Sequence, residues 1–215
     1  MCFSAEASFT AAAILGGCGV FTLKNVTSRS QFFLAVIPLL FAIQQASEGF
    51  LWLHLNYQIG SYNFLMQMQH IFLTFAFMTW PVWIPLAFLA TEGIRWRQVV
   101  LGCLMACGIY LCFINISSAR VQESSVKIVN HSIQYLGHFP TQEIPYAMAT
   151  VLPCFISSLR NAWMIGIISL ITFLIAEYFY YMTLVSVWCF FAAITSLLIY
   201  KILKDNQVSR KTPLL

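Results

Sequence analysis

The sequence has few charged residues, and this scarcity decides its class. Charged residues make up 8% of the 215, whereas hydrophobic residues make up 60%. An ordinary soluble domain has roughly 25% charged residues. No hydrophilic stretch is long enough to form a second, soluble domain. We therefore predict an integral membrane protein built as one transmembrane domain.

Motifs that would assign a known chemistry are also absent. The sequence contains no phosphate-binding loop, no G-x-S-x-G turn and no H-E-x-x-H zinc motif. Its seven cysteines are an odd number, and no pair falls in a predicted outer loop, which argues against a disulfide framework. Any function must therefore be inferred from single polar residues and their spacing.

Apolar runs of roughly 20 residues, the length that crosses a bilayer, predict the helices. We expect an all-α, seven-helix bundle with helices at 7–23, 31–54, 65–90, 98–116, 144–159, 162–179 and 182–203. The fifth segment is short and carries two prolines, and the last two form one apolar run that we divide near Tyr180. Residues 204–215 are expected to form a short basic tail.

The basic residues predict the orientation, because Lys and Arg are concentrated in cytoplasmic loops. In a seven-helix count they lie on one side of the membrane, except for Arg120 and Lys127. A six-helix count would break this pattern at the C-terminal tail. We therefore expect the N-terminus outside and the C-terminus in the cytoplasm. Orientation also explains the net charge of +4 without a nucleic-acid partner.

The second predicted helix carries a polar stripe. Gln44, Gln45 and Glu48 recur at helical spacing on one face, and Trp52 extends that face by one turn. A carboxylate exposed to lipid costs a few kcal/mol on insertion scales. Glu48 is therefore expected to lie in a polar site between helices, in the outer half of the membrane.

The third helix carries polar residues at a similar depth. Gln67 and His70 share one face of it. We expect this face to meet the stripe of helix two, so that both line a site open toward the outside. Glu177, near the outer end of helix six, belongs to the same half of the membrane.

The histidines of the outer half suggest a metal site. His70, His131 and His138 are the candidate ligands, with Glu48 as a fourth ligand or a general base. Imidazole and carboxylate groups suit zinc, and zinc lowers the pKa of a bound water to about 7. Such a site would hydrolyse an ester or amide of a lipid-like substrate among the membrane lipids.

Other functions stay open on the sequence alone. Glu48 and His70 could relay protons or cations in a transporter or channel. Glu48 could instead hold helices two and three together through a hydrogen bond to Gln67 or His70. His131 and His138 could be solvated loop residues, and a non-catalytic receptor or assembly protein is a further class. The sequence does not set the oligomeric state.

Cys2 is a separate candidate. Removal of Met1 would leave an N-terminal cysteine whose own amine could act as its base, on the predicted outer side. Acylation and simple packing at the membrane surface are the alternatives.

Three stretches resemble a family of uncharacterised bacterial multi-pass membrane proteins. They are "MCFSAEASF" at 1–9, the group Gln45, Glu48 and Gly49, and "NHSIQY" at 130–135. The resemblance implies a location in the bacterial inner membrane and draws attention to Cys2, Glu48 and His131, without assigning chemistry.

The chain is more loosely similar to the seven-helix membrane hydrolases that include alkaline ceramidases, which hold zinc with histidines among their helices. Their paired histidines on the last helix are missing here, because the seventh predicted helix contains no histidine. The comparison is therefore an analogy.

Overall fold

Helices make up most of the chain, as its apolar composition predicts. The computed structural model describes residues 4–119, 125–136 and 143–211. The helices are α1 (Ala5–Lys24), α2 (Phe32–Ala35), α3 (Ile37–Tyr57), α4 (Tyr62–Thr74), α5 (Trp80–Thr91), α6 (Arg95–Ala119), α7 (Glu143–Ile156), α8 (Ala162–Phe179), α9 (Leu184–Thr195) and α10 (Leu198–Lys211). Two strands, β1 (Ser125–Val129) and β2 (Ser132–Leu136), form an antiparallel hairpin that the all-α prediction did not include.

Six helical segments in the described part of the chain are long and apolar enough to cross a membrane. They are Ala5–Lys24, Arg29–Tyr57, Tyr62–Thr91, Arg95–Asn115, Ala162–Phe179 and Tyr181–Gln207. The helix α8 ends at Phe179, and Tyr180 separates the last two segments. The final helix continues to Lys211, so it includes most of the predicted tail. Segments of this length and composition are those of a multi-pass membrane protein.

A π-helical turn, Phe75–Thr79, joins α4 to α5 just before Pro81. Proline has no N–H, so it cannot satisfy the carbonyl one turn earlier, and neighbouring side chains must supply donors. Three carbonyls accept such bonds: Ala76 from Tyr146, Phe77 from Asn115, and Met78 from Cys112. These bonds tie the irregular turn to α6 and α7.

The short helix α7 extends from the middle of the bundle to one end of it. Near its start, Tyr146 binds the carbonyl of Ala76, which lies at the centre of the Tyr62–Thr91 segment. Just past its end, the N–H of Ser158 binds the carboxyl of Glu92 at 2.7 Å. We call the end that contains Glu92 the basic end.

The hairpin lies at the other end, which we call the hairpin end. Residues 132–135 of β2 are buried and pack against α9 and the turn Tyr181–Thr183. Non-helical backbone at membrane depth is tolerated only where protein or a wet cavity surrounds it. The buried apolar side chains form one cluster toward the basic end, around Leu34 and Phe88, and another toward the hairpin end, around Phe72 and Tyr135.

Glu92 joins two loops at the basic end. Its carboxyl group accepts hydrogen bonds from the N–H groups of Gly93 at 2.9 Å, Ile94 at 3.0 Å and Ser158 at 2.7 Å. Burial alone would raise the pKa of Glu92, but these bonds favour the charged form and together lower the pKa below its ordinary value. The carboxylate therefore fastens the turn after α5 to the turn after α7.

Candidate functional site

Glu48 lies in the core near the hairpin end, with none of its surface exposed. The hydroxyl of Ser186, on α9, donates a hydrogen bond to its Oε1 atom. The side chains of Gln45 and Tyr135 lie beside the carboxyl group, and the thiol of Cys189 is close to it. We call these five residues the Glu48 cluster. It draws its members from α3, α9 and the hairpin.

Gln44 connects this region to α5. The indole N–H of Trp80 donates to Oε1 of Gln44 at 2.8 Å, and both side chains are buried. The Trp80 ring stacks on Phe41 with 3.8 Å between ring centroids. This contact holds the polar face of α3 against the start of α5.

The hairpin covers the Glu48 cluster. Tyr135 is 2% exposed, and its ring stacks on Phe72 of α4 with centroids 4.8 Å apart and planes 8° from parallel. Ile133 belongs to the same buried apolar cluster. The strand β2 thus places the Tyr135 phenol beside the Glu48 carboxyl group, which lies on a helix far away in sequence.

The tip of the hairpin explains the position of His131. Asn130 and His131 form a two-residue turn with φ values of 48° and 55°, and Val129 pairs with Ser132 across it. Such hairpin turns need positive φ at both positions and favour Asn followed by Gly. His131 is exposed there. The turn therefore explains the position of His131. Its role as a zinc ligand stays a prediction.

The structure corrects the expected face of α4. Gln67 and His70 are both exposed, whereas Gln69 is fully buried. Residues two apart on a helix point in nearly opposite directions. Gln69 therefore shares the face of α4 that packs inward, and the stripe predicted to meet Glu48 faces away from it. The proposed proton relay between Glu48 and His70 has no direct contact to support it.

The remaining predicted residues lie apart or outside the described ranges. Trp52 is buried in the same apolar cluster as Tyr135, and Glu177 is half-buried near the end of α8. Cys2 and His138 lie outside the described residues. Within the described residues no group of three or more His, Cys, Asp or Glu side chains could hold a metal ion. The three-histidine zinc site therefore stays a prediction.

Sequence reasoning missed Tyr135, Ser186 and Cys189 beside Glu48, and Gln69 on the inward face of α4. Gln69 lies on an apolar helical stripe, but the lipid-facing side of α4 is also apolar, so spacing could not identify it. Ser186 lies 138 residues from Glu48 and is an ordinary small polar residue in an apolar helix. No local signal indicates that it would contact a carboxyl group.

The three stretches that carry the family resemblance meet in this region. Ala5 and Phe9 from the first belong to the same apolar cluster as Tyr135 from the third. A Cβ atom on Gly49, from the second, would lie 2.9 Å from the Phe9 ring. The resemblance therefore concentrates on one place in the fold, next to Glu48.

Buried polar atoms of α3 and α4 toward the hairpin end make no hydrogen bond within the described part of the chain. They include Nε1 of Trp52, one turn after Glu48, and both Nε2 and Oε1 of Gln69. Leaving a buried donor or acceptor without a partner costs about 1–3 kcal/mol. Native proteins contain few such groups, and each calls for an explanation such as water or a ligand.

The chain belongs to the DUF6629 family, a family of unknown function, which matches residues 1–213. No curated protein and no solved structure matches the chain. The match confirms membership of an uncharacterised family, as the three stretches indicate. It establishes no activity.

Proposed function

We propose that this member of a family of unknown function crosses the bacterial inner membrane seven times, with its N-terminus outside and its C-terminus in the cytoplasm. The distribution of basic residues supports this orientation, because only Arg120 and Lys127 would then lie outside. The fifth crossing would include the short helix α7. The hairpin and the Glu48 cluster would lie toward the outer side.

We further propose that the Glu48 cluster binds a small or lipid-like molecule. This proposal rests on the buried indole N–H of Trp52 and the buried amide of Gln69, which make no hydrogen bond among the described residues. A ligand that both donates and accepts hydrogen bonds would satisfy them and offset their desolvation. Simple helix adhesion would not require so many unbonded polar groups in one region.

Replacing Gln69 with Leu tests ligand binding. An unbonded buried amide is costly, so the apolar replacement should leave the melting temperature unchanged or raise it. The same variant should retain about tenfold less ligand, since one lost hydrogen-bonding partner is worth about 1.4 kcal/mol or more. The measurement is mass spectrometry of the molecules extracted from protein purified in mild detergent.

Gln67→Leu is the matched control, because Gln67 lies on the same helix and is exposed. It should retain as much ligand as the wild-type protein. Equal retention in the Gln69→Leu and Gln67→Leu variants would contradict the proposal and leave the Glu48 cluster as a packing feature.

Hydrolysis of an ester or amide in the bound molecule is a second candidate function. It is favoured by the hydrogen bond that the Ser186 hydroxyl donates to Glu48. In this arrangement the hydroxyl could act as the nucleophile and the carboxylate as its base. Glu48 would take the Ser186 proton as the oxygen attacks the carbonyl carbon, and would pass it to the leaving alcohol or amine. Water would then attack the ester formed with Ser186, with Glu48 again taking the proton and returning it to the Ser186 oxygen, and the free acid would leave.

The Glu48→Gln variant tests hydrolysis because the amide keeps the size of the side chain and cannot act as a base. A positioned general base contributes roughly 10²–10⁴-fold, so the release of fatty acid from a monoacylglycerol should fall by at least about a hundredfold. Glu177→Gln, which changes a half-buried carboxyl on α8, should keep full activity. A wild-type rate in Glu48→Gln would exclude Glu48 as the base.

A further inference from the structure

An apolar cavity lies between α2, α3, α5 and the helices α7 to α10, on the basic-end side of the Glu48 cluster. Its volume is about 70 Å³, and its lining includes Phe41, Trp80, Phe88, Cys189 and Ile199. Nothing in the proposed binding at Glu48 assigns a role to this space.

The cavity extends along the helices. Along α5 its lining runs from Trp80 to Phe88, and along α7 from Tyr146 to Cys154. Each pair is eight residues apart, which is about 12 Å at a rise of 1.5 Å per residue. This span suits an extended alkyl chain of medium length.

Two side chains connect the cavity with the polar region. Cys189 lines the cavity and is close to Glu48, while Trp80 lines it and donates its N–H to Gln44. Farther along the cavity, the hydroxyl of Thr150 donates to the carbonyl of Tyr146 at 2.9 Å, and that of Ser196 donates to the carbonyl of Ala193 at 2.6 Å. The cavity therefore offers polar contacts at the Glu48 end and an apolar wall beyond it.

The polar end favours an uncharged group. No Lys or Arg is buried among the side chains that the structure describes, so an anionic head would meet no cation. The unbonded atoms include N–H donors on Trp52 and Gln69 and an acceptor on Gln69. An ammonium group has no acceptor for those donors, whereas a hydroxyl, ester or amide can serve both kinds of atom.

We propose that the ligand is a single-chain amphiphile with an uncharged hydroxyl, ester or amide head, whose alkyl chain occupies this cavity. The head binds at the Glu48 cluster, so this assignment rests on the proposed function. The chain binds independently of the head through the apolar lining.

Native mass spectrometry in detergent tests the head and the chain, with four probes that share a decanoyl or decyl chain. A monoacylglycerol should bind about tenfold more tightly than the fatty acid anion, the alkyl amine or the lysophosphatidate. The two anions would be buried without a cation, and the amine would leave the N–H donors of Trp52 and Gln69 unbonded, each at a cost of at least the 1.4 kcal/mol of that ratio. Equal binding of the four probes would overturn the uncharged head.

Ala192→Phe tests the chain site, since Ala192 lines the cavity. The added ring should weaken binding of the decanoyl monoacylglycerol about tenfold or more, because overpacking a filled site costs about 1–3 kcal/mol. Ile194→Phe, on the same helix but 45% exposed, should bind as the wild type does. Unchanged binding in a folded Ala192→Phe variant would overturn the chain site.

If Ala192→Phe does not fold, Ile199→Ala provides the reciprocal test. It enlarges the far end of the cavity and should shift the preference toward longer acyl chains, and an unchanged preference would overturn the chain site. The Gln69→Leu variant separates the two proposals. If it binds like the wild type while Ala192→Phe does not, the chain site stands and binding at the Glu48 cluster is wrong.

Discussion

Gly108→Ala is expected to prevent most of the protein from folding. A Cβ atom at residue 108 would lie 1.9 Å from the carbonyl oxygen of Pro81 and 2.5 Å from its carbonyl carbon. Backbone atoms cannot rotate away as a side chain can. The adjacent bonds from Asn115 to Phe77 and from Cys112 to Met78 also hold α6 in register with this turn. The cost should exceed the usual overpacking penalty of about 1–3 kcal/mol.

Gly102→Ala is the matched control for this prediction. Gly102 lies on the same helix, and a Cβ atom there would meet nothing within 4 Å. Alanine favours a helix over glycine by up to about 1 kcal/mol, so this variant should be as stable as the wild type or more so. Size-exclusion profiles and melting temperatures in detergent compare the two. Equal stability of both variants would show that α6 and α5 are not in backbone contact at Gly108.

Tyr135→Ala is expected to release the hairpin from the bundle. The change removes a buried ring that stacks on Phe72 and a phenol beside Glu48. Truncating a buried aromatic residue typically costs about 3–5 kcal/mol. An isolated two-stranded hairpin is marginally stable at best, so this loss should be enough to undock it. Hydrogen exchange of the amides in 125–136 should become much faster, while exchange in α6 should change little.

Ile128→Ala provides the comparison within the same hairpin. Ile128 pairs with Ile133 across the strands but is itself 37% exposed. Its truncation should leave hydrogen exchange in the hairpin nearly unchanged. If the hairpin amides exchange equally slowly in the Tyr135→Ala and Ile128→Ala variants, Tyr135 does not anchor the hairpin.

The sequence alone determined the class of the protein and the positions of its helical segments. Scarce charge and long apolar runs indicate a membrane protein, because a span of roughly 20 apolar residues matches the thickness of a bilayer. The last apolar run is about twice that length, which indicated that it is divided near Tyr180, where α8 ends. The cost of a carboxylate in hydrocarbon also singled out Glu48 as a buried residue before any contact was known.

Only the tertiary structure decided what surrounds Glu48. In a membrane both the lipid and the protein interior are apolar, so spacing on α4 could not distinguish the exposed Gln67 from the buried Gln69. The hairpin escaped prediction because its strands are only five residues long, and its burial depends on helices distant in sequence. Ser186 and Tyr135 reach Glu48 from 138 and 87 residues away. Contacts at such separations are set by how helices pack, because no local pattern encodes which side chain will lie opposite another.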